Sequence, residues 1–408
     1  MWPWAGLLYT VRLPMDFSPT SDQLLIRDTV RQFMETEMRP LLREYDRDER
    51  FPVEQIRRLG ELGCCGMLIP EEFGGSATDT ITYAMMLEEV ARVDASTAVT
   101  LSVTNSVASA PILKHGSDAQ KKKYLGRLAR GEILGAFCLT EPQAGSDAAA
   151  IQTRATRQGD GYVLRGTKSW VTNGGFSGVY VVFAKTDPAA GARGITAFLV
   201  EPSWPGFRVS RYEDKMGLRL SRSAEIVFED CRVPAENVLG GEGQGLRVAL
   251  AALDGGRVGI AAQSLGLAQG AMEAAARYAK QRRAFGHPIA DYQAIQWMLA
   301  DMATEIEAAR ALTYYAAHLR DVEARERPAE DRGRSRVGPQ ASRAKLYASE
   351  MANRVCYRAV QIHGSVGYSR ETDVERYYRD ARVLTIYEGT SEIQRMVIAR
   401  DLLGQGSG

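Results

Sequence analysis

The spacing of hydrophobic residues changes twice along this chain, and the two changes limit the folds that it can adopt. From Thr20 to about Gly131, apolar residues recur at helical spacing. Between Ile133 and Phe228 the chain has short runs rich in β-branched and aromatic residues, separated by Gly, Asp and Pro, which is typical of strands. From about Gly243 the helical spacing returns. This order predicts an α+β fold with a β domain between two helical domains.

The middle segment is predicted to be an antiparallel, barrel-like β domain. Its expected strands are Ile133–Leu139, Ile151–Thr156, Gly161–Arg165, Val179–Ala184, Ile195–Val200, Phe207–Arg211 and Ala224–Phe228. The last segment has three long helical stretches, which are typical of a four-helix bundle. These stretches are Leu246–Arg282, Tyr292–Arg320 and Gln340–His363, and a helix at Glu392–Leu402 would complete the bundle. The charged run Asp321–Arg336 is interpreted as a solvated connector.

The predicted domain boundaries follow from these changes. They are a leader at 1–14, an N-terminal helical domain at 15–131, a β domain at 132–242 and a helical bundle at 243–408. The leader has a single charged residue, Arg12, and no basic start, so a signal peptide is not expected. Our hypothesis is that Met15 is the true start and that the leader is an upstream extension.

Composition argues against several classes of function. The net charge is +1, which suggests neither a nucleic-acid nor a membrane partner. No run reaches the length of about 18 apolar residues that a membrane span requires. The five cysteines are an odd number, which favours free thiols in a reducing compartment. The four histidines lie far apart, so we expect no metal site.

A candidate catalytic carboxylate lies just before the last helix. Ser391 and Gln394 have the spacing of a capping box, so a helix is predicted to begin near Ser391. Gly389 permits a turn with positive φ immediately before it. The turn would hold Glu388 beside apolar neighbours, where its surroundings can fix its direction and shift its pKa. Alone, the pattern is more typical of a surface glutamate in a helix-entry turn.

Five other segments could bind a ligand, although each alone is weak. The loop Thr140–Asp147 could receive a polar ligand or phosphates through exposed N–H groups. Alternation along a strand would place Trp170 and Thr172 on one face, where an indole and a hydroxyl could meet a ring system. Asp254 and Arg257 share a helix face. Basic residues and glycines at helix ends, in Arg282–Gly286 with Gln293 and in Gln361–Gly367, could hold phosphates.

Taken together and in this order, these segments resemble the acyl-CoA dehydrogenase family, from about Asp16 to Leu403. The resemblance is carried by Thr140-Glu141-Pro142 with Ala144-Gly145-Ser146-Asp147, Lys168-Ser169-Trp170-Val171-Thr172-Asn173, Phe228-Glu229-Asp230, Arg282 with Phe285-Gly286, and Ile386-Tyr387-Glu388-Gly389-Thr390. The family's helical–β–helical fold agrees with the changes of period.

The resemblance implies FAD as cofactor and a role for each matching residue. Residues that would bind FAD are Phe137, Leu139, Thr140, Gly145, Ser146, Trp170 and Thr172, with Arg282, Phe285, Gln293, Gln361, Gly364, Ser365, Thr390 and Glu392 at its adenosine end, across a dimer interface. Residues that would touch acyl-CoA are Ser146, Asp254, Arg257, Tyr387 and Gly389. Glu388 matches the base that removes the α-proton while hydride leaves the β-carbon for the flavin.

The resemblance also implies a substrate and partners. The expected reaction converts a saturated acyl-CoA of short to medium chain length to trans-2-enoyl-CoA in fatty acid β-oxidation, with electrons passed to an electron-transferring flavoprotein. The closest branch is the short-chain, butyryl-type one. Gly256 stands where branched-chain and certain long-chain relatives have a glutamate base, so Glu388 has no rival. Because Val93–Val107 contains no Lys or Arg, we do not expect a dicarboxylate substrate.

The assembly and compartment are also inferred from the resemblance. A homotetramer built as a dimer of dimers is expected. The compartment would be a bacterial cytoplasm, or a mitochondrial matrix if the source is eukaryotic. The alternatives are a flavin monooxygenase or oxidase on the same fold, which usually lacks the base, and a non-catalytic acyl-CoA-binding protein.

Overall fold

A computed structural model describes residues 18–326 and 337–404, and its first part is helical as predicted. The helices are Ser21–Phe33 (α1), Leu42–Asp48 (α2), Val53–Glu61 (α3), Thr80–Val93 (α4), Ala95–Val103 (α5), Ser109–His115 (α6) and Asp118–Ala129 (α7). A π-helical segment, Thr104–Ala108, joins α5 to α6. Thr20 forms the predicted capping box with Gln23, in which each side chain bonds the backbone of the other residue.

The middle part is one eight-stranded sheet. Its strands are Leu134–Cys138 (β1), Arg154–Gln158 (β2), Gly161–Thr172 (β3), Ser177–Lys185 (β4), Ile195–Val200 (β5), Phe207–Tyr212 (β6), Ser223–Pro234 (β7) and Val238–Leu239 (β8). The strand order is β6-β7-β3-β2-β4-β5-β8, and β1 pairs with β4.

The prediction of a purely antiparallel, barrel-like sheet was wrong. β1 and β2 both pair with β4 in parallel, so the sheet is mixed. In the described residues β6 and β8 end the strand path without pairing with each other, so the sheet is open. Parallel neighbours need a crossover rather than a hairpin, and the chain between the parallel neighbours β1 and β4 contains β2 and β3.

The last part is the predicted helical bundle. Its elements are Gly245–Gln281 (α8), the short strands Arg283–Ala284 (β9) and His287–Pro288 (β10), Gln293–Glu326 (α9), Val337–His363 (α10), Asp373–Ala381 (α11) and Ser391–Leu402 (α12). The start of α12 was predicted at the right residue but with the wrong cap. Thr390 is the N-cap, and its Oγ1 accepts the Ile393 N–H at 3.3 Å. Gln394 turns back towards the preceding loop instead.

Helix α8 lies at the centre of the molecule and packs against α4, α9 and α10. Two glycines allow its close approach to α4. A Cβ at Gly266 would lie 2.0 Å from the carbonyl oxygen of Glu88, and one at Gly270 would lie 2.2 Å from that of Arg92. The β sheet joins the helical layer through Asn173, whose Nδ2 donates to the Thr100 carbonyl at 3.2 Å and to the Gly135 carbonyl at 3.1 Å.

Two predictions fall outside the described residues. These are the leader at 1–14 with its start at Met15, and residues 327–336 of the charged connector. Within the described ranges, no helix is long and apolar enough to cross a membrane. All five cysteines are buried free thiols.

Candidate functional site

Glu388 lies on a tight turn that immediately precedes α12. Its φ is 51°, and that of Gly389 is 92°, so two consecutive residues adopt left-handed conformations. A non-glycine residue with positive φ is uncommon and costs free energy unless its surroundings impose it. Here the turn directs the Glu388 side chain inwards, towards α8.

Two side chains hold the carbonyl oxygens of this turn. The Lys345 ammonium, on α10, donates to the Gly389 carbonyl at 2.7 Å. The Gln394 amide, on the first turn of α12, donates to the same carbonyl at 2.9 Å and to the Glu388 carbonyl at 3.2 Å. Both Lys345 and Gln394 are fully buried. The left-handed backbone is therefore fixed by donors that water cannot easily replace.

The Glu388 carboxylate faces α8 in a pocket with little polar compensation. Its Oε2 is buried and accepts no hydrogen bond from any residue that the structure describes. Burial raises the pKa of Glu388 to about 7, although the cationic groups of Lys345 and Arg257 oppose the rise. A Cβ at Gly256 would lie 1.9 Å from Oε2, so this carboxylate position requires glycine there.

The pocket wall beside Gly256 is polar and comes from three elements. Tyr387 donates its hydroxyl to Gln263 on α8, and Gln263 donates to the Ala95 carbonyl at 2.7 Å. One helical turn from Gly256, the Tyr83 hydroxyl lies 3.2 Å from the Ser102 hydroxyl. The floor of the pocket is thus formed by hydrogen-bonded side chains of α4, α5 and α8.

The two segments predicted to hold a flavin are adjacent. The backbone N–H of Ser169 donates to the Thr140 carbonyl at 2.9 Å, which joins the loop after β1 to the Trp170 segment. Trp170 has φ 58° and is 59% exposed. Trp170 lies at an irregularity of β3, because the register of the strand shifts between Lys168 and Val171. The buried Val171 separates the exposed Trp170 from the partly exposed Thr172, and a shared face for these two residues stays a prediction.

The other predicted flavin residues of this region lie on β1 and in the loop that follows it. Leu139 is buried, Phe137 and Thr140 are partly exposed, and Gly145 and Ser146 are exposed. An exposed indole on a strand joined to a loop with exposed hydroxyl side chains fits a flat heteroaromatic ring with polar edges. The residues present therefore fit FAD.

A buried ion pair supports this loop. The Lys168 ammonium lies 2.7 Å from Glu141 Oε1, and both side chains are almost completely buried. Burial alone would raise the pKa of Glu141, but Lys168 and three other donors, including the N–H groups of Gln152 and Thr153, lower it to about 2. Gln143, whose role the sequence did not reveal, donates to Glu141 Oε2 at 2.7 Å. The buried Glu141 carboxylate thus holds this loop in place through its hydrogen bonds.

The predicted adenosine-binding residues lie at the opposite end of the bundle. Arg282 and Phe285 lie at the exposed hairpin that follows α8, where Phe285 is 94% exposed, and the exposed Gln293 begins α9. Gln361, Gly364 and Ser365 end α10 nearby, because the ring of Tyr278 on α8 stacks on that of His363 at 4.3 Å. At about 1.5 Å per residue, Tyr278 lies about 33 Å along α8 from Gly256.

The structure therefore separates the predicted residues into two groups within one chain. Thr390 and Glu392 belong to the Glu388 end, where Thr390 caps α12 and Glu392 is exposed. The Arg282 and Gln361 groups belong to the far end. One chain therefore does not bring the predicted adenosine-end residues together, and an adenosine site shared across a dimer stays a prediction.

Asp254 and Arg257 form the predicted ion pair on α8, with Nη1 and Oδ1 2.7 Å apart. Arg257 is buried, at 6% exposure. Burial raises the pKa of Asp254, and the Arg257 guanidinium opposes that rise. Gly338 on α10 is in close contact, since a Cβ there would lie 3.2 Å from either Asp254 oxygen. The pair lines the same stretch of α8 as Gly256.

Sequence reasoning missed Lys345, Gln394 and the Glu141–Lys168 pair as parts of the site. Lys345 carried a usable signal, because it lies on the same helix face as Ala341, Ala348 and Ala352, all of them buried. A lysine on an apolar face is rarely buried without a partner. Gln394 and Lys168 gave no comparable signal, since their partners are backbone atoms or residues distant in sequence.

Comparison with known proteins assigns most of this chain to one protein family. Family models described as the acyl-CoA dehydrogenase N-terminal, middle and C-terminal domains match residues 20–132, 136–231 and 243–403. The mitochondrial short-chain specific acyl-CoA dehydrogenase of Mus musculus is 46% identical over 396 residues, 97% of this chain and 93% of the mouse protein.

Two solved structures have the same fold. Butyryl-CoA dehydrogenase from Megasphaera elsdenii has a TM-score of 0.91 at 44% identity, covering 95% of this chain and 100% of its own. A chain of a structure described as the electron transferring flavoprotein of Acidaminococcus fermentans also has a TM-score of 0.91, at 46% identity and the same two coverages.

The buried ion pair gives a prediction about flavin retention. Lys168→Met leaves the Glu141 carboxylate buried without its cation, so we expect a lower unfolding temperature and loss of bound flavin. Leaving one partner of a buried pair uncompensated costs about 3–5 kcal/mol. Thermal unfolding and the ratio of flavin to protein absorbance measure the two effects.

A double-mutant cycle provides the control for this prediction. Adding Glu141→Gln to Lys168→Met removes the uncompensated charge, so the double variant should be more stable than Lys168→Met alone. Equal stability and flavin content in wild type and Lys168→Met would contradict a supporting role for the pair.

Proposed function

Because this chain belongs to the acyl-CoA dehydrogenase family, we propose that its Glu388 carboxylate is the base that removes the α-proton of the substrate. The activity is FAD-dependent α,β-dehydrogenation of a saturated acyl-CoA to trans-2-enoyl-CoA. FAD, when bound, accepts the hydride that leaves the β-carbon, a transfer that protein side chains cannot perform.

One observation carries the assignment of the base. Glu388 is a carboxylate on a fixed turn, buried at Oε2, with a pKa raised to about 7. A general base works best when its pKa lies near the operating pH. The missing hydrogen bond leaves Oε2 free to accept a proton from a substrate carbon. A surface glutamate in a helix-entry turn would have neither feature.

The residues around Glu388 have complementary roles in the proposal. The Glu388 backbone N–H, at the same turn, is placed to donate to the thioester oxygen, on which negative charge grows as the α-proton leaves. A donor of this kind is typically worth about 2.7–4 kcal/mol. Asp254, Arg257, Ser146, Tyr387 and Gly389 contact the acyl-CoA, and Arg257 also counters the negative charge of Glu388.

The FAD site is proposed to be shared by two subunits. Thr140, Ser146, Trp170 and Thr172 lie at the flavin ring, with Phe137, Leu139 and Gly145 around them. Thr390 and Glu392 extend the set. The exposed Arg282, Phe285, Gln293, Gln361, Gly364 and Ser365 serve the adenosine end of a neighbouring subunit's FAD. The exposure of Phe285 in the isolated chain supports this arrangement.

Gly256 supports a straight short-chain substrate. The 1.9 Å separation between Glu388 Oε2 and a Cβ at Gly256 leaves no room for a second carboxylate on α8 beside Glu388. Branched-chain relatives that use such a residue therefore require a different packing here. The Mus musculus relative is short-chain specific, and the Megasphaera elsdenii one acts on butyryl-CoA. We propose a butyryl-type substrate.

The partners and location follow the same relatives. Electrons pass to an electron-transferring flavoprotein, and the enzyme is a homotetramer built as a dimer of dimers. The compartment is a bacterial cytoplasm, or the mitochondrial matrix for a eukaryotic source. The Acidaminococcus fermentans structure supports the electron-transferring flavoprotein as partner. The separation of the predicted FAD residues between the two ends of the helical bundle supports the dimer.

Substitution of the base is the main test of this proposal. Glu388→Gln keeps the shape of the side chain but cannot accept the α-proton, so turnover should fall about 10²–10⁴-fold. FAD content and acyl-CoA binding should remain, because neither depends on the carboxylate charge. Steady-state kinetics, flavin absorbance and calorimetric titration with butyryl-CoA measure the three quantities.

An exposed glutamate provides the matched control. Glu371→Gln, on the loop after α10, makes the same chemical change at an exposed position and should leave turnover unchanged. Near-native turnover in Glu388→Gln would remove Glu388 as the base.

The raised pKa of Glu388 also predicts the pH profile. The base must be deprotonated in the free enzyme, so kcat/KM should fall about tenfold per pH unit below a pKa of about 7. An ordinary exposed glutamate would place this limb near 4.5. Measurement of kcat/KM for butyryl-CoA from about pH 5 to about pH 8.5, in steps of about half a unit, distinguishes the two. A flat profile down to about pH 5 would contradict burial of the base.

A further inference from the structure

A fully buried lysine on α10, Lys345, contacts the turn that carries the candidate base Glu388. Lys345 has 0% exposure and extends from the middle of α10 to the Glu388 turn, where its ammonium donates to the Gly389 carbonyl at 2.7 Å. Burying an ammonium group is costly unless it gains a partner. A leucine or methionine would fill this apolar helix face at no such cost, so the charge needs an explanation.

We propose that Lys345 is a positioning residue for the dehydrogenation, which fixes the Glu388 turn through the Gly389 carbonyl and uses its charge to keep the carboxylate available as a base. The proposal rests on the assignment of Glu388 as the base. It adds to Glu388 a residue that contacts the Glu388 turn and not the substrate.

The first part of the proposal is mechanical. Glu388 and Gly389 both have positive φ, and the turn could relax if its carbonyl oxygens lost their donors. Lys345 and Gln394 are the two side chains that hold the Gly389 carbonyl. A misplacement of the base by about 1 Å can cost about 10²-fold in rate.

The second part is electrostatic. The charged or ionisable groups that face the Glu388 carboxylate are Lys345 from α10, Arg257 from α8, Tyr83 from α4 and Tyr387 from its own turn. The two cations lower the pKa of Glu388 against the rise caused by burial. Without Lys345, only Arg257 would oppose the rise in the Glu388 pKa that burial causes, and the carboxylate would stay protonated to a higher pH.

Lys345 carries this charge at neutral pH. Burial lowers its pKa to about 8, while Glu388 and the more distant Glu350 and Glu392 oppose that fall. Arg257 adds to it. The lysine is therefore mostly protonated at the pH where Glu388 titrates, so that the charge and the base coexist.

Three variants separate the two parts. Lys345→Gln keeps an amide donor but removes the charge, so the acid limb of kcat/KM for butyryl-CoA should move up by about one pH unit or more. Gln394→Met removes a neutral donor from the same carbonyl, so anaerobic flavin reduction should slow while the limb stays in place. Lys345→Met removes both functions, and should slow reduction by about tenfold or more and also shift the limb.

Controls exclude a general effect of losing a lysine or of unfolding. Lys122→Met, at an exposed position on α7, should change neither the rate nor the limb. Bound FAD and the unfolding temperature are measured for every variant. If Lys345→Met does not retain FAD, the pH profile of Lys345→Gln decides the question.

The result that would overturn the proposal is a Lys345→Gln enzyme with the wild-type acid limb, or a Lys345→Met enzyme with the wild-type reduction rate. Failure of the underlying assignment has a different signature, because the wild-type limb near pH 7 would itself be missing and Glu388→Gln would turn over. A uniform loss of rate at all pH values in both Lys345 variants would reduce Lys345 to a structural residue.

Discussion

The site depends on a buried carboxylate that is held in place by its backbone and has no hydrogen-bond donor at Oε2. Carboxylates are normally stabilised by hydrogen-bond donors, and Glu388 Oε2 has no donor among the described residues. Its charge is countered instead by Arg257 and Lys345 at a distance. This arrangement keeps the group reactive, because a carboxylate that is already fully hydrogen-bonded is a poor base.

Much of the surrounding structure serves that arrangement. Glycine at 256 makes room for the carboxylate, and glycines at 266 and 270 bring α8 against α4, so that the Tyr83–Ser102 pair completes the pocket wall. On the other side, the buried Glu141–Lys168 pair fixes the loop next to Trp170. Two buried lysines thus have related roles, since each holds a loop that would otherwise be free to move.

The sequence was sufficient for the fold class, the order of the three parts and the bounds of α8 and α10 within a few residues, but α9 runs beyond the predicted Arg320 and α11 was not predicted. It also singled out Glu388, Asp254 with Arg257, and the Trp170 segment, whose roles stay proposals. It failed for the parallel pairing of β1 with β4, because strand pairing joins residues about 40 positions apart and leaves no local pattern. It failed similarly for Thr390 as the helix cap and for Lys345 and Gln394, whose roles depend on where a distant turn lies in space.

The proposed reaction removes an α-proton from a short acyl-CoA while the bound flavin is reduced. The most direct measurement is an anaerobic titration of the purified yellow protein with butyryl-, octanoyl-, isovaleryl- and glutaryl-CoA, followed through the oxidised flavin band. We expect butyryl-CoA to bleach the band most readily and glutaryl-CoA to do so least. A flavin-containing protein that none of the four esters bleaches would contradict the proposed reaction.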